Sequence, residues 1–300
     1  MDSPSTRNWA ELPRDVTLTI LMKLTPIETL ETAQFVCKVW YNLCMDPSMW
    51  TCVDFENIDD YETGFSGKYE KMARSAVERS RGGVRSVSVE YFGTDDLLMY
   101  IADRSSCLRC LRFACCYSLS GISNAVKKLP LLEELELTLC SISEEEIKAV
   151  GLSCPMLKTF KLNHQGSRNP FFTNDSEAFV IAETMPRLRC LQIIGNGLTN
   201  YGLEAVLHNC SYLESLDLRS CFHVDLSGDL GKRCTEQIKF LHRPCDSTDD
   251  YKFVTSTDYE SDYEDYGDGF DDGDFLSDDE YYEFSDDREM PDTEEMFDYD

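Results

Sequence analysis

The sequence predicts an α/β architecture: a short solenoid of strand–turn–helix units, with a small three-helix module before it and an acidic disordered tail after it. Three observations lead there. A hydrophobic-x-x-hydrophobic-x-hydrophobic pattern recurs through the middle of the chain, and a fixed period of this kind marks stacked repeats. Residues 9–51 break from that period and carry helical spacing instead. Residues 246–300 hold 24 Asp or Glu against only Lys252 and Arg288, a net charge of −22 out of the chain's −28.

In chain order, residues 1–8 are polar and expected to be disordered, with neither the basic region nor the apolar stretch of a secretory leader. Over 9–51, Pro13 suits a first-turn position, where its missing amide costs nothing, and Val16, Ile20, Leu21 and Leu24 then share one helical face. Thr25-x-x-Glu28, with Pro26 inside it, reads as a capping box opening a second helix. Ala33, Val36, Cys37, Trp40, Leu43 and Cys44 follow at helical spacing as a third, until Asp46-Pro47 stops the run. Three such short helices bury little on their own, so the module needs a partner or a neighbouring domain to complete its core. Residues 52–83 are read as a connecting segment.

The repeats occupy 84–245. They start at Val84, Leu108, Leu132, Leu157, Leu188 and Leu213, with a frayed seventh at Ile238, in steps of 24, 24, 25, 31, 25 and 25 residues. The one long step places extra chain at about 164–175, including Phe171-Phe172. Each strand is preceded by a helix-like stretch; Ser143-x-x-Glu146 caps one of these, and Pro130, Pro155 and Pro186 prevent helices from running into the next strand. Eight residues after the repeat starts come Cys116, Cys140, Asn196 and Cys221, the Asn-or-Cys slot of leucine-rich repeats, while Phe92, Gln165 and Asp246 depart from it. Parallel strands should line the concave face and helices the convex face. Because strand side chains alternate, Arg112, Glu134, Glu136, Lys161, Gln192, Asp217 and Arg219 should face outward on the strand wall as candidate substrate contacts, with Phe171 and Phe172 at its rim. The same wall also reads as an ordinary solvated face.

Fourteen cysteines without a leader read as reduced thiols of an intracellular protein, nuclear and/or cytoplasmic. Zinc is not expected: Cys107-x-x-Cys110 is the sole paired spacing. No run approaches the roughly 18 apolar residues of a membrane span, and the acidic balance argues against nucleic acid. The tail, 246–300, has no apolar period, so it should stay extended, either as a solubilising spacer or as a docking segment for basic partners.

The stretch with Leu12-Pro13, Ile20-Leu21, Leu24, Leu30, Val36-Cys37-Lys38-x-Trp40 and Asp46-Pro47-x-x-Trp50 resembles an F-box. Followed by cysteine-containing repeats, it resembles the plant-type F-box/LRR proteins across about 9–245. That resemblance implies docking on a Skp-family adaptor of a cullin-RING ubiquitin ligase through Leu12, Pro13, Ile20, Leu21, Leu24, Val36, Cys37 and Trp40, and a protein substrate held by the repeats. A bulky indole also suits packing, so Trp40 and Trp50 also suit the module's own core or a cap on the repeats. No convergent nucleophile, base and orienting group is present, nor a Gly-rich phosphate loop, so neither catalysis nor a cofactor is expected. A non-catalytic scaffold whose acidic tail binds basic partners is the alternative reading.

Overall fold

The structure is a computed structural model that describes residues 12–56, 66–116 and 119–253. The expectations for 1–8 and for the tail beyond 253 fall outside the described residues.

The module folds as α1 (Arg14–Leu21), α2 (Pro26–Glu31) and α3 (Lys38–Cys44). The predicted capping box at α2 is complete: Glu28 donates its amide to the Thr25 hydroxyl at 3.1 Å, and the Thr25 amide donates to the Glu28 carboxylate at 2.8 Å. The expected single third helix is broken. Ala33–Phe35 forms a 3₁₀ turn and Cys37 is fully extended, with φ −165° and ψ 167°, so α3 starts only at Lys38.

Among the described residues, eight parallel strands follow in sequence order: β1 (Cys52–Phe55), β2 (Ser86–Glu90), β3 (Cys110–Ala114), β4 (Glu134–Thr138), β5 (Thr159–Asn163), β6 (Cys190–Gln192), β7 (Ser215–Asp217) and β8 (Phe240–His242). The helices between them are α4 (Ser66–Arg79), α5 (Asp95–Arg104), α6 (Ile122–Ala125), α7 (Glu144–Ser153), α8 (Ser176–Thr184), α9 (Asn200–Asn209) and α10 (Asp229–Gln237). Equivalent slots stack in register, Leu111 beside Leu135 and Phe113 beside Leu137. All four are fully buried, because a parallel sheet covered by helices keeps the leucine face from water.

Residues 52–83 are not a connection. Their β1 pairs with β2 through Cys52–Ser86 and Phe55–Val89, and α4 packs Ala73, Ala76 and Val77 into the core, so the described residues, 52–56 and 66–83, add a strand and a helix to the array. The spacing Trp50-x-x-Val53-x-Phe55 is the repeat pattern itself.

The backbone turns off β2, β3, β4, β6 and β7 in one way. Tyr91, Cys115, Leu139 and Ser220 hold positive φ between 52° and 70°, as does Gly195 at 69°. The left-handed region costs a non-glycine residue on the order of 1 kcal/mol. It is offset because each amide then donates at 2.9 Å to the next repeat: Tyr91 to Ala114, Cys115 to Thr138, Leu139 to Asn163, Ser220 to Pro244. One residue further on sits the Asn-or-Cys slot. The Cys116 thiol donates to the Ala114 carbonyl at 3.2 Å and Cys221 to Ile193 at 2.9 Å, while the Asn196 side chain accepts from the Leu198 amide at 2.9 Å. Burial is matched by hydrogen bonding at these thiols, and at Cys221 burial pushes the ionisation up to about 12.

Candidate protein-binding faces

The module's own core is small: Leu21, Ala33, Leu43 and Cys44, with Leu18, Leu24, Trp40 and Met49 packed against it. Several apolar side chains are left out. Val16 and Ile20, one turn apart on α1, are 41% and 37% exposed, and Val36 is 56% exposed. Phe35 and Val39 flank Val36 and are exposed too. Of the residues expected to meet an adaptor, Pro13, Ile20 and Val36 are exposed, and Leu12, Leu24, Cys37 and Trp40 are half-buried. Leu21 is not available. It has no exposure and forms the centre of the module, since it points from the opposite side of α1 toward α3. Trp50 lies in the main core with its indole donating to the Cys44 carbonyl at 2.8 Å. The Arg14–Asp46 ion pair fixes the start of α1 to the turn after α3.

On the strand wall the predicted charges form one network. Arg112 meets Glu134 at 3.0 Å and Glu136 at 3.8 Å; Lys161 meets Glu136 at 2.9 Å and Glu134 at 3.4 Å; Glu56 stands 3.7 Å from Arg112. Burial disfavours the Lys161 ammonium, but Glu136 and Glu134 more than compensate, and its pKa is raised. These side chains are held, partly exposed, in fixed positions, so a partner would meet a prepared surface rather than order it.

Asp217 and Arg219 depart from the expectation. They are 8% and 3% exposed and bond to each other, the Arg219 Nη2 at 2.8 Å from the carboxylate. Gln192 donates to Asp217 at 3.4 Å. The outermost slots Ala114, Thr138, Asn163 and Ile194 are likewise buried. The cause is the first part of the acidic tail. Residues 246–253, expected to be disordered, instead lie against the strand ends. Arg219 donates to the Ser247 carbonyl at 3.0 Å and pairs with Asp250; the Tyr251 hydroxyl is buried; Lys252 pairs with Glu90 and sits 3.5 Å from Glu56. Beside Lys252 a recess of about 290 Å³ opens, lined in part by Arg112, Glu136 and Lys161.

Residues 9–56 match the F-box-like family. The chain is 48% identical over 285 residues to the F-box protein SKIP19 of Arabidopsis thaliana, spanning 94% of this chain and 90% of that one. It is 44% identical over 278 residues to the putative F-box/LRR-repeat protein 22 of the same plant, spanning 92% and 89%. The chain belongs to the plant-type F-box/LRR-repeat proteins. With the putative F-box/LRR-repeat protein 23 of A. thaliana it shares 50% identity over 83% of this chain, but only 56% of that relative's length.

In this F-box/LRR-repeat protein the long step of the array carries a 3₁₀ turn, Pro170–Phe172, capped by Asn169, whose side chain accepts from the Phe171 amide at 3.0 Å. The turn holds Phe171 and Phe172 in water, 91% and 64% exposed. Below it, Glu177 accepts from Asn196 at 2.6 Å and pairs with His164 at 3.1 Å. Among the described residues, no group of three or more His, Cys, Asp or Glu is placed to hold a metal, and no helix is long and apolar enough to cross a membrane. Sequence reading missed Phe35 and Val39 in the module and Glu56 and Lys252 on the wall. The first two stand beside Val36 within the motif; Glu56 directly follows the β1 spacing, whose first slot Trp50 also belongs to the F-box pattern, and Lys252 comes from a stretch that carries no repeat signal.

Proposed function

We propose that this chain is the substrate-recognition subunit of an SCF-type ubiquitin ligase, docking a Skp-family adaptor through the F-box and a protein substrate through the repeats. One observation carries the reading. The F-box folds around a few side chains and leaves Val16, Ile20, Phe35, Val36 and Val39 in water, and apolar side chains clustered on a small domain mark a protein contact. The chain has a non-catalytic role: it holds a bound substrate near the transfer machinery and so raises its effective concentration there. Arg112, Glu134, Glu136 and Lys161 are the substrate-facing residues of the wall, joined by Phe171 and Phe172 at its rim.

The test is co-purification of the intact chain with a Skp-family adaptor. Leu12→Ala with Pro13→Ala, and separately Val36→Asp, should abolish it, since losing a buried anchor typically costs about 2–4 kcal/mol. A folded chain that ignores the adaptor, or variants that bind it unchanged, would defeat the proposal and favour a scaffold acting through its acidic tail.

A further inference from the structure

The strand ends are occupied by the chain's own segment, and the contacts have an order. At one end a buried cation, Arg219, takes the Ser247 carbonyl and the Asp250 carboxylate. In the middle the Tyr251 hydroxyl is buried beside Thr138 and Asn163, on β4 and β5. At the other end two carboxylates, Glu56 and Glu90, take Lys252. Positive, aromatic-accepting and negative subsites thus lie in line across the sheet, complementary to the sequence Asp250-Tyr251-Lys252.

We propose that this face is a peptide-reading site for a partner segment with a carboxylate, an aromatic and a basic residue in consecutive positions, and that residues 247–253 are its resident, displaceable occupant. The proposal rests on the reading of the repeats as the substrate-binding half, and it names the chemistry of what they hold. Specificity follows from the sign reversal: a reversed segment would set its carboxylate against Glu56 and Glu90, and like charges at such distances repel.

Displacement is feasible because the resident holds on lightly. Asp249, Asp250 and Lys252 are exposed, and Tyr251 is only half-buried. Tethering supplies a local concentration of roughly millimolar order, so even a weak intrinsic contact keeps the segment in place. A partner in trans gains what the tethered segment lacks. The recess beside Lys252 exposes Arg112 and Lys161, which can take further carboxylates from a longer segment.

The experiment uses the full chain and a fluorescent peptide of residues 246–253, read by anisotropy. Lys252→Glu in the chain places a third carboxylate against Glu56 and Glu90 and should release the segment; Tyr251→Ala is the second releasing variant. The wild-type peptide should bind either variant at least about ten-fold more tightly than it binds the unmodified chain, where the tethered copy competes. A peptide carrying Tyr251→Ala should lose most of that binding. Equal affinity for all three chains, or no binding to variants that keep the wild-type thermal transition, overturns the proposal. So does loss of the cooperative transition in both variants, which would make the segment a structural part of the array. Adaptor co-purification should be the same for all three chains, so a failed docking proposal and a failed peptide-site proposal give different results.

Discussion

The Trp50 indole nitrogen donates to the Cys44 carbonyl at 2.8 Å, and this bond joins the end of α3 to the first slot of the repeat that contains β1. The ring is 2% exposed, with the Arg79 guanidinium 5.6 Å from its centre. One side chain therefore ends the F-box and begins the array. Trp50→Ala should cost about 3–5 kcal/mol, the range for deleting a buried aromatic, and Trp50→Phe distinctly less. Urea unfolding measures both, and a Trp50→Ala midpoint close to wild type would refute the shared role.

Leu21 and Ile20 are neighbours with opposite surroundings, one without exposure and one 37% exposed. Leu21→Ala should lower stability by about 2–5 kcal/mol through the cavity it leaves. Ile20→Ala should change stability by less than about 1 kcal/mol yet weaken adaptor capture. Thermal melts paired with pull-downs separate the two effects; identical behaviour of both variants would contradict the assignment.

Alkali should destabilise the array. Burial raises the thiols of Cys44 and Cys210 to about 11 and those of Cys154 and Cys221 to about 12, from an ordinary value of 9.0. Below about pH 8 both folded and unfolded chains keep these protons and no slope arises. As pH rises from 9 toward 12, the unfolded chain loses them while the folded chain still holds them. Stability must then fall as pH rises. Cys154→Ala with Cys210→Ala should flatten that decline between about pH 8.5 and 10.5, in denaturation midpoints taken at each pH.

Phe171 and Phe172 contribute little to the fold from where they stand. Replacing both by Ala should leave the melting temperature within a degree or two, as surface substitutions do, while reducing capture of a substrate once one is in hand. A large drop in melting temperature would assign the pair to packing instead.

Much of this was readable in advance, and the misses have physical causes. The leucine period located the strands from β2 to β8 because a parallel sheet demands the same buried slot in every unit. β1 carries that spacing as well, but it lies 34 residues ahead of Val84, and its first slot, Trp50, already belonged to the F-box pattern. The helix α4 buries Tyr69, Ala73, Ala76 and Val77 amid Lys, Glu and Arg, so its apolar stripe is faint. Alternation points Asp217 and Arg219 to the outer side of the sheet, yet both are buried. It could not foresee that a segment with no apolar period would cover them, because Arg219 and Glu90 hold that segment through charge rather than through hydrophobic spacing.

The chain passes from α3 through the buried Trp50 into β1, and β1 is hydrogen-bonded to β2, so the F-box and the array share packed side chains at their join. A flexible tether would let cargo sweep a volume; under the proposed function, this join would instead set the bearing of a substrate on the strands relative to the adaptor on the helices. A receptor built this way would act as a jig, and which lysines of a substrate come within range would be a matter of geometry rather than of diffusion.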